Sequence, residues 1–170
     1  MLIVGGAAAT IGYDSNTKTN DIDVFTVMEG SSDDILKAAA LAQQQTGLAV
    51  AIGAAPVTEL PYNYSDRIKR VRGLQLKNLT LLIPDKYDLA LSKMLRGYPH
   101  DVDAIEGISE KHHLSMKTLV DRFEDELVKE ATGDQAKIRL NMAMVVARLY
   151  GFNQGRKFAM QWGVPVPRPR

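Results

Sequence analysis

The apolar positions of the first half come in short runs, each closed by glycine, proline or a polar stretch. Leu2-Ile3-Val4 stops at Gly5-Gly6 and reads as a buried strand entering a tight turn. Ala7 to Ile11 can start a helix, and Asp14 to Asn20 is polar turn material. Asp21-Ile22-Asp23-Val24-Phe25-Thr26-Val27 is β-branched and partly alternating, which predicts a second strand. Ser31-Ser32 opens a helix to about Gln45, with Gly47 as its stop. Leu48 to Ile52 predicts a third strand ending at Gly53. Pro56 and Pro61 bracket a loop, and Arg67 to Arg72 and Leu79 to Ile83 predict further strands. After Pro84 the spacing turns helical. Asp85 to Arg96, Asp101 to Ile108, Ser115 to Glu130 and Asp134 to Tyr150 predict four helices, the last stopped by Gly151. The end of the chain carries Pro165, Pro167 and Pro169 and predicts an extended tail. The fold class implied is α/β (α+β). A mixed sheet over 1–84 is flanked by helices, a helical region over 85–150 packs on it, and 151–170 forms the tail.

Composition narrows the class. With 170 residues, 45% hydrophobic and 24% charged, the chain has the proportions of one globular domain. Twenty-one basic against 20 acidic residues leave a net charge of +1, so nothing here depends on bulk basicity. There is no cysteine, which excludes disulfides, zinc–thiolate sites and a thiol nucleophile. The first residues lack the basic and apolar regions of a signal peptide, and no stretch approaches the roughly 18 apolar residues of a membrane span. The expected location is the cytoplasm, with no membrane partner.

The candidate chemistry lies in the first two strands. Asp21 and Asp23 sit at i and i+2, so their side chains share a face with Cα atoms roughly 7 Å apart. Such a pair can hold one Mg²⁺ or bridge two metals. Gly5-Gly6 lets the backbone approach a phosphate closely. Taken singly, Gly-Gly after a strand is most often a turn, and Asp-x-Asp a solvated edge or a helix cap. Inside an apolar strand the aspartates are harder to dismiss, because burying unpaired charge is costly. Arg67, Lys69, Arg70, Arg72 and Lys77, near Tyr62 and Tyr64, form a local basic cluster. It fits either the phosphates of a nucleic acid or a charged sheet edge.

Together, Leu2-Ile3-Val4-Gly5-Gly6 and Asp21-Ile22-Asp23-Val24 resemble the signature of the nucleotidyltransferase superfamily. Pro84-Asp85-Lys86-Tyr87-Asp88-Leu89-Ala90-Leu91-Ser92-Lys93 and the later Asp101 are similar to a bacterial and archaeal branch of it. That branch is related to the toxins of abortive-infection toxin–antitoxin systems. The resemblance covers about residues 2 to 108. It implies that Gly5 and Gly6 contact a nucleoside triphosphate and that Asp21 and Asp23 bind Mg²⁺ or Mn²⁺. It further implies that Thr19 and Lys93 reach the phosphates, and that Asp101 joins Asp21, Asp23 and Lys93 in catalysis. The acceptor hydroxyl would belong to an RNA, a protein or a small molecule, and the protein partner would be an antitoxin.

Two departures from the pattern stand out. Active members commonly carry a third carboxylate on a later strand, whereas Leu48-Ala49-Val50-Ala51-Ile52-Gly53 has no acid; Glu59, in a loop, is the nearest. Members also have a helix before the first strand, whereas this sequence opens in the strand. The first departure keeps open a rival reading, a non-catalytic nucleotide-binding or regulatory module. His112-His113 and His100 have no partners at zinc-ligand spacing.

Overall fold

The computed structural model describes residues 1–16, 18–26, 32–48, 50–55, 59–74 and 76–167. A mixed five-stranded sheet forms the first half. In chain order the strands are β1 (Leu2–Val4), β2 (Asp21–Thr26), β3 (Ala51–Ala54), β4 (Lys69–Arg70) and β5 (Leu82–Ile83), and across the sheet they lie β3-β2-β1-β5-β4. β1 runs antiparallel to β2 with Val4 opposite Asp23, and parallel to β5 with Leu2 opposite Leu82. β3 is an edge strand parallel to β2, placing Ala51 beside Asp21 and Gly53 beside Asp23. The helices are α1 (Gly5–Tyr13), α2 (Ser32–Thr46), α3 (Lys86–Arg96), α4 (Pro99–His112), α5 (Met116–Arg122), α6 (Gln135–Tyr150) and α7 (Phe152–Trp162).

The predicted α/β architecture holds, and its elements fall close to their expected places. The strand expected at 48–52 sits slightly later, at Ala51–Ala54. The run from Arg67 to Arg72 splits into a 3-10 turn (Tyr64–Arg67) and the two-residue β4. The helix expected over 115–130 is α5 followed by a π-helical turn, Phe123–Leu127. Val27, Ser31, Ala49, Pro56 and residues 168–170 of those expectations lie outside the described residues.

The extended tail needs correction. Phe152–Trp162 is α7, closed by Gly163 at φ +66. It packs on α6 because Gly155 has no side chain: a Cβ there would lie 2.4 Å from the Ala147 Cβ. Its end is pinned by Trp162, whose Nε1 donates to Glu124 Oε1 at 3.0 Å and whose ring lies 5.2 Å from that of Phe123. Aromatic burial of this kind outweighs the breaker signal of the prolines, which begins only beyond the helix.

One hydrophobic core joins the sheet to the helices. Ile3, Ala8 and Ile83 meet Leu89, Met94, Ile105, Phe123 and Met142 in a single buried cluster. The helix that carries Lys93 and Arg96, α3, is fixed at both ends. Asp85 caps its start, accepting from the Tyr87 N–H at 3.0 Å. At its end, Asn141 Nδ2 donates to the carbonyls of Met94 and Leu95 at 3.1 and 3.2 Å.

Candidate active site

β1 runs straight into α1, so the sheet delivers a helix N-terminus directly beside the start of β2. Gly5 adopts φ +68, a left-handed conformation suited to glycine. Among the described residues no side chain caps α1, so its first N–H groups keep the partial positive charge of a helix start. The Asp23 carboxylate sits on this glycine. A Cβ on Gly5 would stand 2.2 Å from Asp23 Oδ2, and one on Gly6 would stand 2.8 Å from Thr19 Cβ and Oγ1. Thr19 in turn donates its hydroxyl to Asp21 Oδ1 at 2.5 Å and to the Asp21 carbonyl at 3.2 Å. Thr19 therefore orients Asp21 and closes against Gly6.

The remaining expected residues converge from α3 and α4. Lys93 is buried in the described structure, with 2% of its surface exposed, so it is no surface lysine. Its ammonium lies 3.4 Å from Asp101 Oδ1, which also receives Arg96 Nη2 at 2.6 Å. Asp101 does not cap α4; it is wholly buried in the first turn, and its Oδ2 has no hydrogen-bond partner among the described residues. Burial pushes the Lys93 ammonium below the ordinary lysine range against the pull of Asp101. For Asp23, burial and then the repulsion of Asp21 push the carboxyl above its usual range, while Arg96 and Lys93 pull it back. These mutual influences bring Asp21, Asp23, Lys93 and Arg96 into one electrostatic neighbourhood.

Residues 1–146 match the family described as "Nucleotidyltransferase of unknown function (DUF6036)". The chain belongs to this nucleotidyltransferase family. No curated protein and no solved structure matches it.

Nucleotidyltransferases generally use divalent metals, and the donor set can be tested for fit. Two carboxylates on one face of β2, of which Asp21 helps to raise the proton affinity of Asp23, are suited to a dication, which relieves the repulsion. Among the described residues no group of three or more acids or histidines could enclose a metal without help. The Asp21–Asp23 pair therefore fits an ion whose remaining positions are filled by phosphate oxygens and water. The third acid that many nucleotidyltransferases carry has no counterpart on β3. Ala51 and Gly53 stand beside the two aspartates, and a Cβ on Gly53 would meet nothing within 4 Å. Glu59 is occupied elsewhere, accepting from the Thr132 N–H and hydroxyl.

The basic cluster resolves into separate parts, and the alternation that would align its charges is absent. Arg67 is bidentate to the buried Asp88, at 3.0 Å through Nε and Nη2, and reaches Glu126 at 2.6 Å. Lys69 pairs with Asp85 at 3.0 Å. Arg122 joins the same network, 2.8 Å from Asp85 and 3.0 Å from Asp88. These acids thus anchor the sheet edge to α3 instead of serving the site. Arg70 and Arg72 stay exposed and line an open cavity of about 810 Å³ with Tyr13 and Leu74. The sequence reading missed Arg96. It lies three residues after Lys93, a helical neighbour spacing that could have placed it beside the lysine.

Proposed function

We propose that the protein transfers a nucleoside monophosphate from a nucleoside triphosphate to an acceptor hydroxyl with Mg²⁺ or Mn²⁺. The observation that carries this reading is the Asp23 carboxylate seated on the Gly5 Cα at the uncapped start of α1. A metal-holding acid and a phosphate-binding backbone are there in contact, the two parts that phosphoryl transfer most needs. Asp21 and Asp23 would hold the ion, which when bound supplies charge neutralisation at the phosphates and a template for in-line attack. Gly5 and Gly6 offer N–H groups to the triphosphate. Thr19 keeps Asp21 in its rotamer.

In the reaction the acceptor oxygen bonds the α-phosphorus, the bond from that phosphorus to the β-phosphate oxygen breaks, and pyrophosphate leaves. The hydroxyl proton passes to solvent or to a β2 carboxylate. Lys93 and Arg96 stabilise the charge on the departing pyrophosphate. Asp101 acts as a positioning residue: buried and bound to both cations, it aims them. Lys93 and Asp101 also carry the resemblance to abortive-infection toxins. On that ground the proposal extends to a cytoplasmic toxin–antitoxin pair, with the acceptor an RNA, a protein or a small molecule. Among the described residues no helix is long and apolar enough to cross a membrane.

The open position beside Gly53 favours one rival, a nucleotide-binding module without turnover. The experiment that separates them incubates the full chain with each α-labelled nucleoside triphosphate, Mg²⁺ or Mn²⁺, and total RNA or protein. Label transferred to an acceptor by the wild type, and by neither Asp21→Asn nor Asp23→Asn, supports the transferase. Metal-dependent binding without transfer or pyrophosphate release supports the rival. Growth arrest on expression, absent in Asp23→Asn, tests the toxin role.

A further inference from the structure

The end of α3 faces two ways. On one side Arg96 holds Asp101 and lies in the field of Asp23. On the other, Arg96 lines a cavity of about 210 Å³ between α3 and the first turn of α6. Leu95 and Ile138 give this cavity apolar walls, and Ser92, Asp134 and Lys137 bring polar groups to it. Ser92 is the telling residue. It is 9% exposed, lines the cavity, and its hydroxyl has no hydrogen-bond partner among the described residues. Its hydroxyl opens to the cavity and is free to bond the polar edge of an occupant. Lys137 is exposed at the rim and has no ion pair among the described residues. Asp134 spends Oδ1 on the N–H groups of Ala136 and Lys137, a bond set that does not involve Oδ2.

We infer that this cavity receives the base of the bound nucleoside triphosphate. The inference rests on the reading above, because the phosphates must lie along Gly5, Gly6 and Asp23 for the base to turn past Arg96. Size and lining agree with a base. The volume is below the roughly 300 Å³ at which pockets for drug-sized molecules begin, so it has room for one flat heterocycle and not for a whole nucleotide. Leu95 and Ile138 would pack on the ring. Ser92 and Lys137 would donate to ring nitrogens or carbonyls, and Asp134 would accept from an exocyclic amine. Arg96 would stand at the junction of base and phosphates, touching both parts of the site.

The test is calorimetric titration of the full chain, in Mn²⁺, with the four nucleoside triphosphates and with inorganic tripolyphosphate. The wild type should bind at least one nucleotide about tenfold more tightly than tripolyphosphate, the difference being the base and its sugar. Ser92→Ala should weaken that nucleotide about fivefold to tenfold, the loss of one buried hydrogen bond, and leave tripolyphosphate unchanged. Lys137→Ala, at an exposed position that folding does not need, should weaken the nucleotide and alter the order among the four bases. Thermal melting of each variant checks the fold. Nucleotide affinities at the wild-type level in both variants would overturn the inference, and so would an equal loss for tripolyphosphate. Failure of the wild type to bind tripolyphosphate at all would overturn the transferase reading itself, and Asp23→Asn marks that site independently.

Discussion

Gly5→Ala tests the contact on which the site is built, and its cost can be worked from the geometry. The new Cβ would stand 2.2 Å from Asp23 Oδ2 and 3.2 Å from its Cγ, while Asp23 Cβ, at 3.4 Å, is in ordinary contact. Relieving the overlap requires the carboxylate or the strand to move, an overpacking cost of about 1–3 kcal/mol. Separately, alanine at φ +68 incurs about 1–2 kcal/mol for the left-handed backbone. The single substitution should therefore destabilise by about 2–5 kcal/mol. In an Asp23→Ala background the carboxylate is gone and the backbone cost alone remains. The double-mutant cycle should show a coupling of about 1–3 kcal/mol, read from urea unfolding of the four proteins at a common slope. Equal costs of Gly5→Ala in the two backgrounds, to within about 0.5 kcal/mol, would refute the placement of Asp23 on Gly5.

Asp23→Asn should melt no lower than the wild type at neutral pH while losing metal-dependent nucleotide binding. Burial and Asp21 raise the Asp23 carboxyl, so the folded state holds its proton more tightly than the unfolded one. That group therefore favours folding at acid pH and disfavours it as pH rises through the raised value, a penalty that asparagine lacks. Asp85 behaves oppositely. It is lowered despite its burial, by Lys69, the Tyr87 N–H and Arg122. Its share of stability is present above the ordinary aspartate value of about 4 and is lost as pH falls through its lowered value. In Lys69→Met, acid unfolding should begin at higher pH. Lys93→Met removes a buried ammonium but leaves Arg96 on Asp101. Nucleotide affinity should fall about tenfold or more, with a change in melting temperature under about 4 °C. Asp88→Asn takes one of two acids from Arg67 and from Arg122, which keep Glu126 and Asp85, and should cost about 1–3 kcal/mol in urea unfolding, with affinity for tripolyphosphate retained.

The site's first half was readable because it is local. A strand, two glycines, a short loop and an alternating strand fix Gly5, Gly6, Asp21 and Asp23 within 23 residues, and β-periodicity alone puts the aspartates on one face. The helix spacing after Pro84 likewise placed α3, and the family pattern placed Lys93 on it. What spacing did not reveal was partnership across the chain. Arg67 reads as a free cation until Asp88 and Glu126, 21 and 59 residues later, come back to it. Ser92 reads as an ordinary helical serine until α6 closes a cavity over it. The helix α7 was obscured by the prolines beyond it, although Phe158 and Trp162, four residues apart, already share a helical face.

The glycines of α1 carry an evolutionary consequence. The space a side chain would fill at Gly5 is taken by Asp23, at Gly6 by Thr19, and at Gly12 by the Ile83 Cδ1. Substitution here must follow an order: the neighbour shrinks first, and only then can the helix gain volume. A lineage that loses Asp23 frees the position over Gly5, where residues tolerant of left-handed backbone, such as asparagine, then become acceptable. Once such a side chain is in place, an aspartate returning to position 23 meets an occupied seat. Loss of Asp23 is in this way a ratchet, and the Gly5–Asp23 pair is a record of whether a lineage has passed it.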